Sequence, residues 1–330
     1  MAAAFKPLLL AAALAVSAAA VAGPFDKMFG GNGGNEIDLG GLLKSAKEAF
    51  GEVQPEQERT IGREAAAVLL GAVPLVKDDA LQRYVNRVGR WVALQTERPD
   101  IDWRFGLLDS MDVNAFAAPG GYVFVTKGLL LRMGSEAELA GVLAHECSHV
   151  VRKHHLQAVQ KGARLDLAVG LAGTRMGGED RAKLDKIAGG FKELYARGLD
   201  KNDEHEADRM GVVIATRAGY DPYGLPATLQ TLGAMNPKDG SLAFLFKTHP
   251  APGQRLDLID AVFAPLDAYA GQPSVKDRFL REVAAAQKRG SLEGDGATLH
   301  AAVSPAAERH QQRPLQALAE RLKQRRQEEH

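Results

Sequence analysis

Between Asp78 and Leu94 the apolar positions Leu81, Val85, Val88 and Val92 recur three or four residues apart, which lines them along one face of a helix. The same spacing, opened by Pro55, predicts a helix over 55–70. Val275, Phe279 and Val283 predict another over 274–289, docked on the core. Two stretches read differently. Trp103–Leu108 is strand-like, and Tyr122-Val123-Phe124-Val125-Thr126 is a β-branched and aromatic run of strand type. Pro119-Gly120-Gly121 between Val113–Ala118 and that run is a turn, with Pro119 kept to an edge or outside the sheet. The pattern predicts an α+β fold: mainly helical, with a small antiparallel sheet that leaves one edge exposed.

One further helix organises the chain. Ser135 and Glu138 have the spacing of a capping box, and Leu139, Val142 and Leu143 follow as an apolar stripe. The expected helix is amphipathic and half-buried, entered through Leu129–Leu131 and continuing as far as His155. Residues 156–200 also read as helical, broken at Gly177-Gly178 and Gly189-Gly190.

The central helix carries His145-Glu146-Cys147-Ser148-His149. Two histidines four apart lie roughly 40° from each other around a helix and about one turn apart, so both imidazoles reach one metal ion. Glu146 beside them can take a proton from a water molecule. This is the H-E-x-x-H pattern of zinc hydrolases, with two ligands and a general base. His154 and His155 come after the motif. They could extend a metal cluster, but a solvated helix end is the expectation.

A catalytic zinc commonly takes three protein ligands and keeps one open position. Asn202-Asp203-Glu204-His205-Glu206-Ala207-Asp208 offers the third. Glu204 and Asp208, four apart, share a helix face and suit a ligand carboxylate plus a carboxylate that orients a ligand histidine. Glu206 would point elsewhere. His205 is the rival by chemistry, because imidazole suits zinc well, and a merely solvated acidic helix start fits the spacing equally.

Composition narrows the class. The chain has 330 residues and a formal net charge of zero, and it has no long basic run, so nucleic acid is not an expected partner. Lys6, the apolar run Leu8–Val21 and Ala20-Val21-Ala22 form the pattern of a cleaved export signal, with Gly23 as the mature start. The single cysteine, Cys147, allows no internal disulfide and fits a small buried apolar position. No later segment is apolar for 18 uninterrupted residues, so membrane association is expected to be peripheral at most.

Three stretches, taken together, resemble peptidase family M48 of the gluzincin zinc metalloproteases: Asn114–Leu129, with its Pro-Gly-Gly-Tyr-Val-Phe-Val-Thr-Lys-Gly core; Ser135–Glu146; and Glu204-His-Glu-Ala-Asp208. The resemblance covers roughly residues 50 to 260. It implies a zincin-like metalloprotease fold, one zinc ion held by His145, His149 and Glu204, Glu146 as catalytic base and Asp208 as the carboxylate behind a ligand. Thr248-His249-Pro250, followed by Arg255 and Leu256, matches a further element of the family, whose histidine can approach the zinc in some soluble members. Read alone, His249 sits in a loop. Near zinc it would either stabilise an oxyanion or act as a fourth ligand, while Arg255 is expected to pair with a local carboxylate. Arg197-Gly198-Leu199 departs from the Ser-Arg pair common before the glutamate.

The expected organisation is an export signal over 1–22, a glycine-rich linker over 23–41, a metalloprotease domain over 42–265 and a C-terminal helix with a charged tail over 266–330. The expected function is zinc-dependent cleavage of extended or unfolded exported polypeptides in the periplasm, with outer-membrane assembly machinery as the partner implied by resemblance. A peptide pairing with the sheet edge would bring its carbonyl over the metal. The competing readings are a latent, chaperone-like binder of unfolded envelope proteins and a structural zinc site closed by four protein ligands.

Overall fold

The structure is a computed structural model that describes residues 53–158, 198–236, 238–243 and 245–293. The expected export signal, the glycine-rich linker, the helical expectation for 159–197 and the tail beyond 293 lie outside those residues.

Helix α1 (Pro55–Ala72) and helix α2 (Asp79–Ala93) come first. Pro55 occupies the first turn of α1, where a missing N–H costs nothing. The Asp78 side chain accepts from the N–H groups of Ala80 and Leu81, both at 3.1 Å, and so caps α2. Leu81, Val85 and Val92 are fully buried and Val88 nearly so, and each such side chain contributes about 1.5–3 kcal/mol.

Strands β1 (Arg104–Leu108), β2 (Ala115–Ala118) and β3 (Tyr122–Thr126) follow, then the single-turn helix α3 (Lys127–Leu130). The sheet order is β1-β3-β2. β2 and β3 pair antiparallel, Phe116 opposite Phe124, whereas β1 pairs with β3 in parallel, Phe105 opposite Val123. The sheet is therefore mixed: the antiparallel expectation holds for the hairpin and not for β1. Hydrophobic runs carry no sign for strand direction, and thirteen intervening residues let the chain return to the same end. Pro119–Gly121 forms a 3-10 turn outside the sheet. Gly120 sits at φ 71°, and a Cβ there would come within 2.7 Å of the Arg59 Cα, so only glycine fits under α1.

Helix α4 (Glu136–Val151) carries the H-E-x-x-H motif. Ser135 Oγ accepts from the Glu138 N–H at 3.3 Å and donates to Glu138 Oε1 at 3.1 Å, which makes a capped start. All 16 residues of α4 are buried, so it is not the half-buried helix that its pattern implied. Helix α5 (Lys201–Arg217) and helix α6 (Gly224–Ala234) pack on it, together with α2 and β2. Its polar face, which the sequence alone assigns to solvent, is turned inward by α5.

α4 stops at Val151 rather than reaching His155. Lys153 adopts φ 58°, and residues 154–158 resume a helical path after it. Helices α7 (Leu245–Thr248), α8 (Pro252–Leu266) and α9 (Lys276–Lys288) complete the described chain. α9 docks as expected through Phe279, Val283 and Ala286. Arg278 of α9 donates to the buried carboxylate of Glu136, the first residue of α4, which also accepts from Tyr84 Oη at 2.9 Å and Tyr220 Oη at 2.7 Å. The start of the motif helix is thus tied to α2, to the turn after α5 and to α9. No helix of the described residues is long and apolar enough to cross a membrane.

Candidate metal centre

Two helices crossing at close quarters build the site. α4 presents His145, Glu146 and His149; α5 presents Glu204 and Asp208. Gly211 of α5 is what allows the crossing, because a Cβ there would lie 3.0 Å from the His145 backbone nitrogen and 3.1 Å from its Cα. The loop after α7 supplies His249, and α8 supplies Arg255.

Among the described residues, His145, His149, Glu204 and His249 each offer one donor atom, all within 4.8 Å of one another. His145 Nε2 lies 3.0 Å from His149 Nε2 and 3.8 Å from Glu204 Oε2, and His149 Nε2 lies 3.4 Å from Glu204 Oε1. Donors arranged tetrahedrally at about 2.0–2.1 Å from zinc stand about 3.3 Å apart, so the set fits such an ion. Among the described residues, Glu204 Oε1 finds no hydrogen-bond donor although it is wholly buried. A buried carboxylate whose oxygens face the Nε2 atoms of two imidazoles is satisfied by a shared cation. His205, the rival, is not part of this group.

Behind the donors stands a charged support. His145 Nδ1 is 2.9 Å from Asp208 Oδ1, and Arg255 grips Asp208 through Nε at 2.8 Å and Nη2 at 2.6 Å. Asp208 is therefore the local carboxylate that Arg255 was expected to find. A ligand imidazole that coordinates through Nε2 must carry its hydrogen on Nδ1, and Asp208 accepts it. His249 Nδ1 lies 2.7 Å from Glu204 Oε2.

Burial and neighbours set the charges. Burial pushes the Glu146 carboxyl above its usual range, only partly offset by the His145 and His249 imidazoles. Burial acts the same way on Glu204, but there His249, His145 and Arg255 overcome it and hold the carboxyl down at about 2. Asp208, despite its burial, is held below the usual carboxylate range by Arg255 and His145. His149 is held well below the usual imidazole range by burial and by the other histidines, so it is uncharged and free to coordinate. His249 goes the opposite way: burial disfavours its charge, and Glu204 more than restores it.

A cleft opens beside these groups, lined by Glu146, His149, His155, Thr248 and His249 and by Ala115, Phe116 and Ala117 of β2. β2 is at the end of the described sheet, yet its four residues are buried, so the edge is not the exposed one expected. Leu199 and Ala158 pack over Ala118 and Ala65 beside it. His154 and His155 are buried as well, not a solvated helix end. His155 lines the cleft, and burial depresses its imidazole to about 3. No periodicity announced either histidine, because the break at Lys153 shifts both out of helical register with the motif. Glu206 stays out of the metal group, as expected, and contacts Arg152 Nε at 3.0 Å. Cys147 is fully buried, its thiol pushed up by burial.

Comparison with known proteins follows the same residues. The model of peptidase family M48 matches residues 79–262, which include every side chain of the site. The chain is 30% identical over 211 residues to a beta-barrel assembly-enhancing protease of Yersinia pestis, covering 61% of this chain and 43% of that protein. It is 29% identical over 210 residues to the beta-barrel assembly-enhancing protease of Escherichia coli strain K12, covering 61% and 42%. It is 25% identical over 226 residues to the mitochondrial metalloendopeptidase OMA1 of Schizosaccharomyces pombe, covering 68% and 62%. The match spans less than half the length of either beta-barrel assembly-enhancing protease.

Proposed function

The chain belongs to peptidase family M48, and we propose that it is a zinc-dependent endopeptidase acting on exported or envelope polypeptides that have failed to fold. The observation that carries this reading is the convergence of His145, His149 and Glu204 in one group of donors, with His149 and the neighbouring Glu146 lining a cleft.

His145, His149 and Glu204 would hold the zinc ion. Bound there, zinc lowers the pKa of a coordinated water to roughly 7 and polarises a scissile carbonyl. The rest falls to side chains of this chain. Glu146, buried and with a raised carboxyl pKa, takes a proton from the attacking water and returns it to the leaving amine. The water oxygen bonds to the carbonyl carbon as the C–N bond breaks, so hydrolysis balances with Glu146 regenerated. Asp208 keeps His145 in the coordinating tautomer, and Arg255 keeps Asp208 ionised. Ala115, Phe116 and Ala117 of β2 and Thr248 line the cleft in which an extended backbone would lie.

His249 has a second role. Where it stands, 2.7 Å from Glu204 Oε2, it is a fourth donor, and four protein donors close a zinc site against water. We assign this arrangement to a resting form from which His249 withdraws for turnover. A permanently closed, structural site would give a protein that never cleaves.

The substrate class and address rest on the export-signal pattern of residues 1–22 and on the relatives named for beta-barrel assembly. They favour the periplasm, a role in envelope quality control, peripheral membrane contact at most, and outer-membrane assembly machinery as partner. The test is digestion of casein and of an unfolded porin by purified protein, with and without a chelator, beside Glu146→Gln. Chelator-sensitive cleavage that the variant lacks is expected. Retained binding of the porin without cleavage in any condition would favour the holdase reading instead.

A further inference from the structure

The two ligand histidines of α4 are supported differently. His145 has Asp208 behind it. Among the described residues, the partner of His149 Nδ1 is not a carboxylate but Nδ1 of His154, 3.0 Å away. His154 is buried, and its Nε2 faces Glu206 Oε2 at 3.4 Å and Asp203 Oδ1 at 3.9 Å.

The carboxylates give these contacts a direction. Oxygens that can only accept sit at His154 Nε2, so that nitrogen carries the ring hydrogen. A neutral imidazole with its hydrogen on Nε2 offers a lone pair at Nδ1. His149 must then be the donor between the two Nδ1 atoms, which leaves its own Nε2 bare and aimed at His145 Nε2 and Glu204 Oε1. Both ligand imidazoles therefore discharge an outward N–H onto an acidic group, one directly and one through His154.

The backbone is shaped for this contact. Five residues on from His149, a continuous helix would place His154 roughly 140° round the axis, facing away. Instead α4 ends at Val151 and Lys153 takes a left-handed φ of 58°, a conformation that costs a non-glycine residue free energy. Lys153 Nζ lies 3.7 Å from Glu58 Oε2 of α1, which holds the turn. The result is that His154 folds back onto the ligand it follows.

We propose that His154 is a positioning residue for the metal ligand His149: it fixes the coordinating tautomer and ring orientation, with Asp203 and Glu206 as its outer anchor. The inference rests on the reading of His145, His149 and Glu204 as metal ligands. It differs from that reading in what it requires, namely a loss of metal affinity when a residue that never touches the ion is changed.

The experiment is zinc titration of the purified full-length protein against a competing chelator, for the parent, His154→Phe and His154→Asn, with far-UV circular dichroism to confirm folding. Removing such an outer partner typically lowers metal affinity ten- to a hundredfold, and His154→Phe is expected to do so. His154→Asn places an amide oxygen near the position of the ring Nδ1 and should restore affinity to within threefold of the parent. The visible absorption of the cobalt-loaded protein should change in the Phe variant and return in the Asn variant, which packing alone would not produce. A folded His154→Phe protein binding zinc within threefold of the parent overturns the proposal, and so does an Asn variant that fails to recover. If the Phe variant does not fold, the double variant Asp203→Asn, Glu206→Gln decides: a drop of several-fold supports the outer anchor, and no change overturns it. A parent that binds no zinc at all would instead sink the metal reading itself.

Discussion

Arg255 holds Asp208 with two nitrogens, Nε on Oδ2 at 2.8 Å and Nη2 on Oδ1 at 2.6 Å, and both side chains are almost wholly buried. Planar guanidinium matches carboxylate in this two-point geometry, and lysine cannot reproduce it. Removing Arg255 leaves the Asp208 charge buried with His145 as its one remaining partner among the described residues. Arg255→Ala should cost about 3–5 kcal/mol in urea unfolding, and Arg255→Lys should recover part of that loss. Equal stability of all three proteins would show that the pair does not support the site.

Glu146 lies in the cleft beside the donors without being one of them. Glu146→Gln should lower casein cleavage by about 10²–10⁴-fold while the purified protein keeps its stoichiometric zinc. Loss of zinc together with activity would make Glu146 a ligand rather than a base.

Were His249 to act as the fourth donor, a water molecule would have no place in the set. His249→Ala should raise peptidase activity at least tenfold at unchanged zinc content, read from initial rates on casein. A fall of similar size would give His249 an oxyanion-stabilising role, and no change would remove it from the site.

At the start of α4, burial pushes the Glu138 carboxyl from about 4.5 up to about 7. Between those values the folded protein keeps a proton that the unfolded chain has released. The folded state then binds more protons, so this residue's contribution to stability falls as pH rises from about 4.5 to about 7 and stays low above. Glu138→Gln keeps the capping pattern and removes the titration. It should gain on the order of 2 kcal/mol over the parent at pH 8 and nothing at pH 4, measured by urea unfolding at both. Identical pH profiles for the two proteins would refute this.

Gly211 sits where α5 crosses His145. Gly211→Val should push the helix bearing Glu204 away from the two histidines and weaken zinc binding at least tenfold by chelator competition. Unchanged affinity would mean that the crossing tolerates side chains there.

Some of this could be read before any fold was known. The spacing of His145, Glu146 and His149 is a local property of one helix, so three chemical groups and their mutual geometry follow from five consecutive residues. The cap of Ser135 on Glu138, the buried stripe of α2 and the docking face of α9 are equally local. Strand direction was not, because an apolar run pairs either way and the connection decides. Nor was the burial of α4. Its inward polar face looks like a solvent face in the sequence, since donors for a metal and groups for water are the same residue types.

The sequence by itself determined which residue types could hold a divalent ion and which glutamate stood next to them, because helix periodicity converts short spacing into position. Only tertiary structure decided the rest. It brought α5 over α4 so that Glu204 rather than His205 faces the histidines, turned the chain at Lys153 so that His154 meets His149, and carried Arg255 onto Asp208 across 47 residues. Those contacts join segments whose relative placement depends on how whole helices bury their faces, and no local pattern encodes that.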